Sequence, residues 1–445
     1  MRLNLRFKAL ALILLLPINF TFAEVLSLSD FKRAIDSNSL ELNDNKANYE
    51  SQINQSKSDL SWQFPYIQAT GNTEPSGIGG GTVFTSTTLF MLRPTLPWVN
   101  SLLKQALKVK GLEYKEATEL VKNIAFINAK KMYLTYMAIK EKYRYDIQRE
   151  INFLTLLNIA KKKLDAGSIS QKDYVNFESA YIAANLISIS TKNDLIKAQQ
   201  DLYVILGLKD AEFLESTTKK DISSILADTT SELLRLKKVE RTITNNKNDL
   251  MVQGLEINFD DLEKSQVLGM LEKSPYLNIL QAQSKGYELL ARQAGRDIFP
   301  AGDLIVGLGV NTTGLSTGAA FDVQIPLPIT RKQTHLKAKY MVLNQSTIYK
   351  SNITKNTLHI KVKSYLEQMD ILKHYIEIAK EDIKIKRKLA ALTKLAYDAQ
   401  KSNLFEYITY ENAYVDSQIQ LVDQKIRYIQ TLAFLEETLG QSFTK

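Results

Sequence analysis

The chain has 445 residues, a formal charge of +9 and no cysteine. Missing cysteine excludes disulfides, thiolate metal sites, cysteine nucleophiles and lipid attachment to a cysteine. The length allows two or three ordinary domains or one long repeat architecture.

Arg2, Arg6 and Lys8 precede the apolar run Ala9 to Leu16, and Thr21-Phe22-Ala23 offers a small-residue cleavage site. This predicts a signal peptide over 1–23, with a retained N-terminal anchor as the alternative. Its loss takes three of the nine excess positives and leaves +6. The remaining cations are read as solvated helix faces, and export argues against nucleic acid as a partner.

A helix is expected over 40–62, then a β-hairpin over about 66–97. Its parts are Tyr66 to Glu74, a glycine-rich loop at Gly77 to Gly81, and Thr82 to Leu96. Alternation is weak there, with Phe84, Phe90 and Leu92 on one face and Arg93 on the other. No proline falls between 98 and 274 or after 328. Proline breaks helix interiors, so these windows permit long helices at about 100–163 and 331–398. Ala166-Gly167-Ser168 interrupts the first, and a helix follows over about 171–206. Its stripe Tyr174, Phe177, Tyr181, Ala184, Ser188, Thr191 runs beside a second, Val175, Ile182, Leu186, Ile189, Ile196. Two adjacent stripes imply two neighbours per helix, as in the wall of a helical barrel or bundle.

Residues 208–262 lack clear periodicity and read as a connecting segment around the middle of the rod. The pattern then returns. Leu304, Val306, Leu308 and Val310 alternate with Gly307, Gly309 and Asn311, and Phe321, Val323 and Ile325 with Asp322 and Gln324. That is a second hairpin, at about 303–328. After the second long helix comes another tip and a helix over about 403–438. Asp165, Asp173, Tyr174, Glu178 and Tyr181 align with Asp398, Glu406, Tyr407, Glu411 and Tyr414 at a constant offset of 233. The chain therefore reads as repeat 1 (24–207), connector (208–262) and repeat 2 (263–445). Ser170 with Asp173, and Asn403 with Glu406, fit a capping box. In each repeat two half-length helices, end to end, match one long helix. This predicts a rod with the hairpin at one end and the tip at the other.

Strands of about ten residues suit a tilted membrane crossing or a half-buried hairpin of a soluble α+β domain. In a bilayer, open strand edges are costly, and four strands cannot close around a pore. Three copies supply twelve, so the membrane reading requires a homotrimer. The ordered set, including Gln63-Phe64-Pro65, Ile298-Phe299-Pro300, Leu96-Pro97-Trp98, Leu327-Pro328-Ile329 and the two tips, resembles the TolC family of outer-membrane efflux proteins. The resemblance implies a mainly α, internally duplicated chain whose trimer forms a twelve-stranded β-barrel in outer-membrane lipid joined to a long periplasmic α-barrel. It implies passive efflux or protein export, with a periplasmic adaptor and an inner-membrane transporter as partners. It also implies a gate at the periplasmic tip. Tyr397 and Asp173 fall at a tyrosine–aspartate contact between hairpins and Glu406 at one acidic constriction. Thr409 stands where a second acid is expected, and Ser402, beside Lys401, replaces an arginine.

Asp173 and Glu406 also serve as capping acids, and Tyr174, Tyr181, Tyr407 and Tyr414 suit packing. Gly77 to Thr82 lacks the lysine and helix of a phosphate loop. His335, His359 and His374 form no metal-binding spacing. No enzyme, cofactor or metal is expected. The competing reading is an exported coiled-coil adaptor or structural protein with a soluble β domain.

Overall fold

A computed structural model of the chain describes residues 26–60, 65–75, 82–93, 97–208, 225, 228–245, 250–257, 263–296, 304–325 and 331–443. The expected signal peptide, the 76–81 loop and most of the residues flanking the strands lie outside these. The described elements are α1 (Leu28–Asn38), α2 (Leu40–Leu60), β1 (Tyr66–Pro75), β2 (Thr82–Leu92), α3 (Pro97–Asp165), α4 (Gln171–Leu206) and α5 (Thr229–Asn245). They continue with α6 (Lys264–Glu272), α7 (Pro275–Arg296), β3 (Ile305–Thr313), β4 (Ser316–Gln324), α8 (Lys332–Asp398) and α9 (Leu404–Leu439). At ~1.5 Å per residue, α3 and α8 each run about 100 Å.

Shorter helices line these two. α2 and α4 pack on α3; α7 and α9 pack on α8 and also on α3. The wall therefore runs α4, α3, α9, α8 in one half and α2, α3, α7, α8 in the other. Where half-length helices meet, side chains cap the exposed ends. Asn38 Nδ2 donates to the Leu206 carbonyl at 2.8 Å, at the junction of α4 with α2. Ser274 Oγ and Tyr276 Oη donate to the Leu439 and Glu437 carbonyls, both at 3.1 Å, where α9 meets α7. Both ends use a left-handed glycine, Gly207 (φ 67°) and Gly440 (φ 69°), which spares a Cβ clash and lets the chain leave the helix.

The pairs within the wall are held differently. On α4 the stripe Tyr181, Ala184, Ser188, Thr191, Leu195, Leu202 is buried against α3. The α3–α9 seam joins Val422 and Ile429 of α9 to the apolar cluster of α3 and adds a line of polar pairs. The line runs through Lys131–Glu437 (3.3 Å), Lys425–Glu141 (3.1 Å), Lys142–Asp423 (2.7 Å) and Arg149–Asp416 (3.0 Å), and closes on Asn152–Asn412 (2.9 Å). The four ion pairs are partly solvated, so each contributes little, whereas Asn152–Asn412 is buried. Lys130–Glu436 differs: it is buried, at 2.6 Å, and the carboxylate also accepts from Ser442 Oγ and the Phe443 amide. The connecting pieces lie against this wall. α1 and α5 pack on α3 and α6 on α8, while Ile257 touches both clusters.

The four strands form one antiparallel sheet in the order β1-β2-β3-β4. Ile67, Phe90, Leu308 and Phe321 stand in one row across it and are exposed. Phe84, Val310, Val323 and Ile325 extend that apolar face. The opposite face holds Gln68, Leu89, Gly309, Ala320 and the row Thr70, Thr87, Asn311, Gly318. A Cβ at Gly309 would overlap the Thr88 carbonyl, so only glycine permits the approach of β3 to β2 there. Edges β1 and β4 have no partner among the described residues.

Replacing Lys130 with Met strands a buried carboxylate and should cost about 3 kcal/mol. Changing Glu436 to Leu as well should recover most of this, as read from denaturant midpoints. Burial pushes the Glu150 carboxyl above its ordinary pKa, against the lowering effects of Ser188, Asn185 and Arg235. Its folded pKa exceeds its unfolded one, so folding gains stability as pH falls through the raised value and levels off below the ordinary one. Glu150→Gln should flatten that part of the stability–pH profile.

Candidate functional site

α3 and α9 run antiparallel, so both interhelical turns lie at the same end of the rod. In the first turn Gly167 takes φ 69°, and the Ser168 amide bonds the Lys163 carbonyl at 2.8 Å. Its counterpart in the second turn is Gln400, φ 57°, with the Lys401 amide on the Ala396 carbonyl at 2.8 Å. A left-handed non-glycine residue costs about 1–2 kcal/mol, so the second turn is the strained one.

Both helices leaving the tips are capped as the spacing suggests, but not identically. Ser170 Oγ accepts from the Asp173 amide at 3.2 Å, and the Asp173 carboxylate accepts from the Ser170 amide and hydroxyl, completing the box. These bonds hold the Asp173 carboxyl below its ordinary pKa. Asn403 Oδ1 accepts from the Glu406 amide at 2.8 Å, but Glu406 takes the Ser402 hydroxyl at 2.7 Å. The expected second box is therefore half made, because the Ser402 hydroxyl supplies the donor Glu406 needs.

Within one protomer Asp173 and Tyr397 are not hydrogen-bonded. Asp173 is occupied by Ser170, and the Tyr397 ring stacks on Tyr407 at 6.2 Å. Lys401 is exposed, and Thr409 turns its hydroxyl back to the Phe405 carbonyl at 2.8 Å. Phe177 of α4 meets Phe405 of α9 edge-on at 5.7 Å, tying the first tip to the second. The helical stripe contains Phe177, but Phe405 falls outside any stripe and has no aromatic counterpart at position 172, which is lysine. Sequence reasoning missed it for that reason. Among the described residues no cluster could hold a metal ion, and no helix is long and apolar enough to cross a membrane.

The wall also leaves two apolar stripes open. On α4 they are Val175, Leu186 and Ile189, the second stripe read from the sequence. On α8 they are Val342, Tyr349, Ile353, Ile360, Ile371, Ile378, Ile385 and Leu392, recurring at four, seven and eleven. These helices flank the same two edges that β1 and β4 leave open in the sheet.

An edge-on aromatic pair contributes about 1 kcal/mol beyond its area. A double-mutant cycle on Phe177→Ala and Phe405→Ala, read by hydrogen exchange of the tip amides, should give a coupling of that size. A coupling near zero would mean that the two rings touch without holding the tips together.

No protein-family model matches the sequence, and a search of curated proteins finds no match. Solved structures do match. A membrane protein from Pseudomonas aeruginosa superposes with TM-score 0.67 at 13% identity over 94% of this chain and 92% of that one. The outer membrane protein VceC of Vibrio cholerae gives 0.64 at 10% identity over 93% and 96%. The CmeC outer membrane channel of Campylobacter jejuni gives 0.62 at 12% over 92% and 85%. With more than nine-tenths of the chain superposed on each, the chain has the fold of the TolC-family outer-membrane channels.

Proposed function

We propose that this chain is a subunit of a homotrimeric outer-membrane conduit for efflux or protein export. The observation that carries the reading is the coincidence of open edges. A sheet with one apolar face ends on two unpaired strands, and the helical wall beneath it ends on two apolar stripes at the same edges. In hydrocarbon each unpaired backbone group costs several kcal/mol, so the sheet requires closure. Three copies give twelve strands, enough for a water-filled barrel. The same closure covers the α8 stripe with the α2–α4 edge of the next copy. The Ile67–Phe90–Leu308–Phe321 face then meets lipid, and the Thr, Asn and Gly rows line the bore.

The rod extends into the periplasm, and its tips dock a periplasmic adaptor and an inner-membrane transporter that supplies the energy. The conduit is passive and carries out no chemical step. The tips form the gate. Phe177–Phe405 joins the hairpins within a copy; Asp173, Tyr397, Lys401, Glu406 and Thr409 ring the constriction and meet those of neighbouring copies.

Detergent-extracted protein should sediment as a trimer and conduct in planar bilayers. A monomer in the soluble periplasmic extract would refute this reading. Asp173→Ala together with Tyr397→Phe should raise the conductance severalfold. Unchanged conductance would leave Asp173 as a helix cap and Tyr397 as a packing residue.

A further inference from the structure

The positive charge is not spread evenly. From residue 331 to 366 the sequence has eight Lys and Arg and no Asp or Glu, in the half of α8 nearest the sheet. Four of the eight, Lys332, Lys339, Lys350 and Lys361, are separated by seven, eleven and eleven residues. Those spacings are whole numbers of helical turns, so the four form one line about 44 Å long. All four are exposed, and none makes an ion pair among the described residues. Lys339 lies over the Tyr340 ring at 5.7 Å.

The packing of α6 shows which side of the wall this line occupies. Lys264 of α6 pairs with Asp370 at 2.8 Å, and Lys355 reaches Glu272 of α6 at 3.9 Å. Asp370 is nine residues from Lys361, half a turn around the helix, so α6 covers the side of α8 opposite the lysine line. A layer packed on a closed helical wall belongs outside, since inside it would fill the bore. α8 buries Leu358, Val362 and Met369 against α7 and α9 and turns its open apolar stripe to the next copy. The remaining side, which carries the lysines, is the lumen.

We infer that this conduit favours anionic cargo: three lines of four lysines coat the membrane-proximal bore and raise the local concentration of anions there. The inference rests on the channel reading above. The sign of the potential follows from unpaired cations facing each other across a confined aqueous bore, where field lines are focused. The other acids of α8 do not offset it. Asp382 pairs with Lys386 at 2.8 Å and Glu381 with Lys384 at 2.6 Å, and these two, like Glu367, Glu377 and Asp398, lie farther toward the tip than the lysine line. The inner face of the sheet adds few charges among its described residues: Asp322, Glu74 and Arg93.

The absence of native cysteine makes the test clean. Ser346→Cys places one thiol on the lysine line, between Lys339 and Lys350, and Asn352→Cys places one near the α6 side. In purified full-length protein, a sulfonate-bearing thiol reagent should modify Ser346→Cys several-fold faster than its quaternary-ammonium analogue, after normalising to Asn352→Cys. Changing all four lysines to Gln should remove that preference without altering the oligomer. In bilayers under a KCl gradient, the reversal potential should show anion preference, reduced by the same changes. Equal reactivity toward both reagents, or cation preference in a protein that conducts, would overturn the inference and leave the channel standing. A monomer that never conducts would remove the channel and the inference together.

Discussion

Everything in this protein answers to the hydrogen-bonding needs of two strand edges. β1 and β4 each present a row of backbone donors and acceptors with no partner among the described residues. Their sheet carries large apolar side chains on one face, so water is the wrong surrounding for the face and lipid the wrong one for the edges. A second sheet packed on top would satisfy the face and leave the edges open. Closure with further copies satisfies both. The rod repeats the arrangement in side chains, since α4 and α8 bury one stripe inside the chain and leave another open at the boundary.

Inside the protomer the energetics are graded. Apolar stripes hold the α3–α4 and α8–α9 hairpins, with Leu195 and Leu202 in the first and Leu366, Met369 and Leu435 in the second, while Val422 and Ile429 of α9 join the α3 cluster across the seam. The seam also carries a ladder of partly solvated ion pairs anchored at one end by the buried Lys130–Glu436 pair. Water can replace the partners of a half-exposed ion pair cheaply, whereas separating an apolar stripe exposes area at roughly 25 cal/mol per Å². The seam between the hairpins holds both kinds of contact and ends at Phe177–Phe405, beside the strained Gln400 turn.

Much of this was legible because it depends on local rules. The proline-free windows contain the two longest helices, since proline is the residue least compatible with a helix interior. Ser170 and Asp173 specify a cap by spacing alone, and both hydrogen bonds form. The second stripe on α4 was readable as a demand for another neighbour, and Val175, Leu186 and Ile189 of it are exposed in the single chain, while Ile182 and Ile196 are half-buried. The first hairpin was harder. Thr, Ser and Gly dilute its alternation, and its outward face became evident only when the register set Ile67 and Phe90 beside Leu308 and Phe321. Tertiary pairings left no local trace. Nothing in the sequence near Phe405 points to Phe177, and the Asp173–Tyr397 contact suggested by the resemblance is absent within a protomer because each group has a nearer partner. The lysine line was read only as part of the solvated helix faces, because helix spacing shows that residues share a face and not which compartment the face meets.

Ending the sheet and the wall on shared edges would also fix the calibre of the proposed conduit. In a closed trimer, twelve strands ~4.8 Å apart and tilted by ~40° enclose a backbone cylinder about 24 Å across. Twelve helix columns ~10 Å apart place their axes on a circle of about 38 Å, and subtracting ~10 Å of helix thickness leaves about 28 Å. Side chains on the inner face of the sheet narrow the strand cylinder further. Four strands matched to four helix columns per copy would thus make the β section the tighter of the two, because strands lie closer together than helices even when tilted.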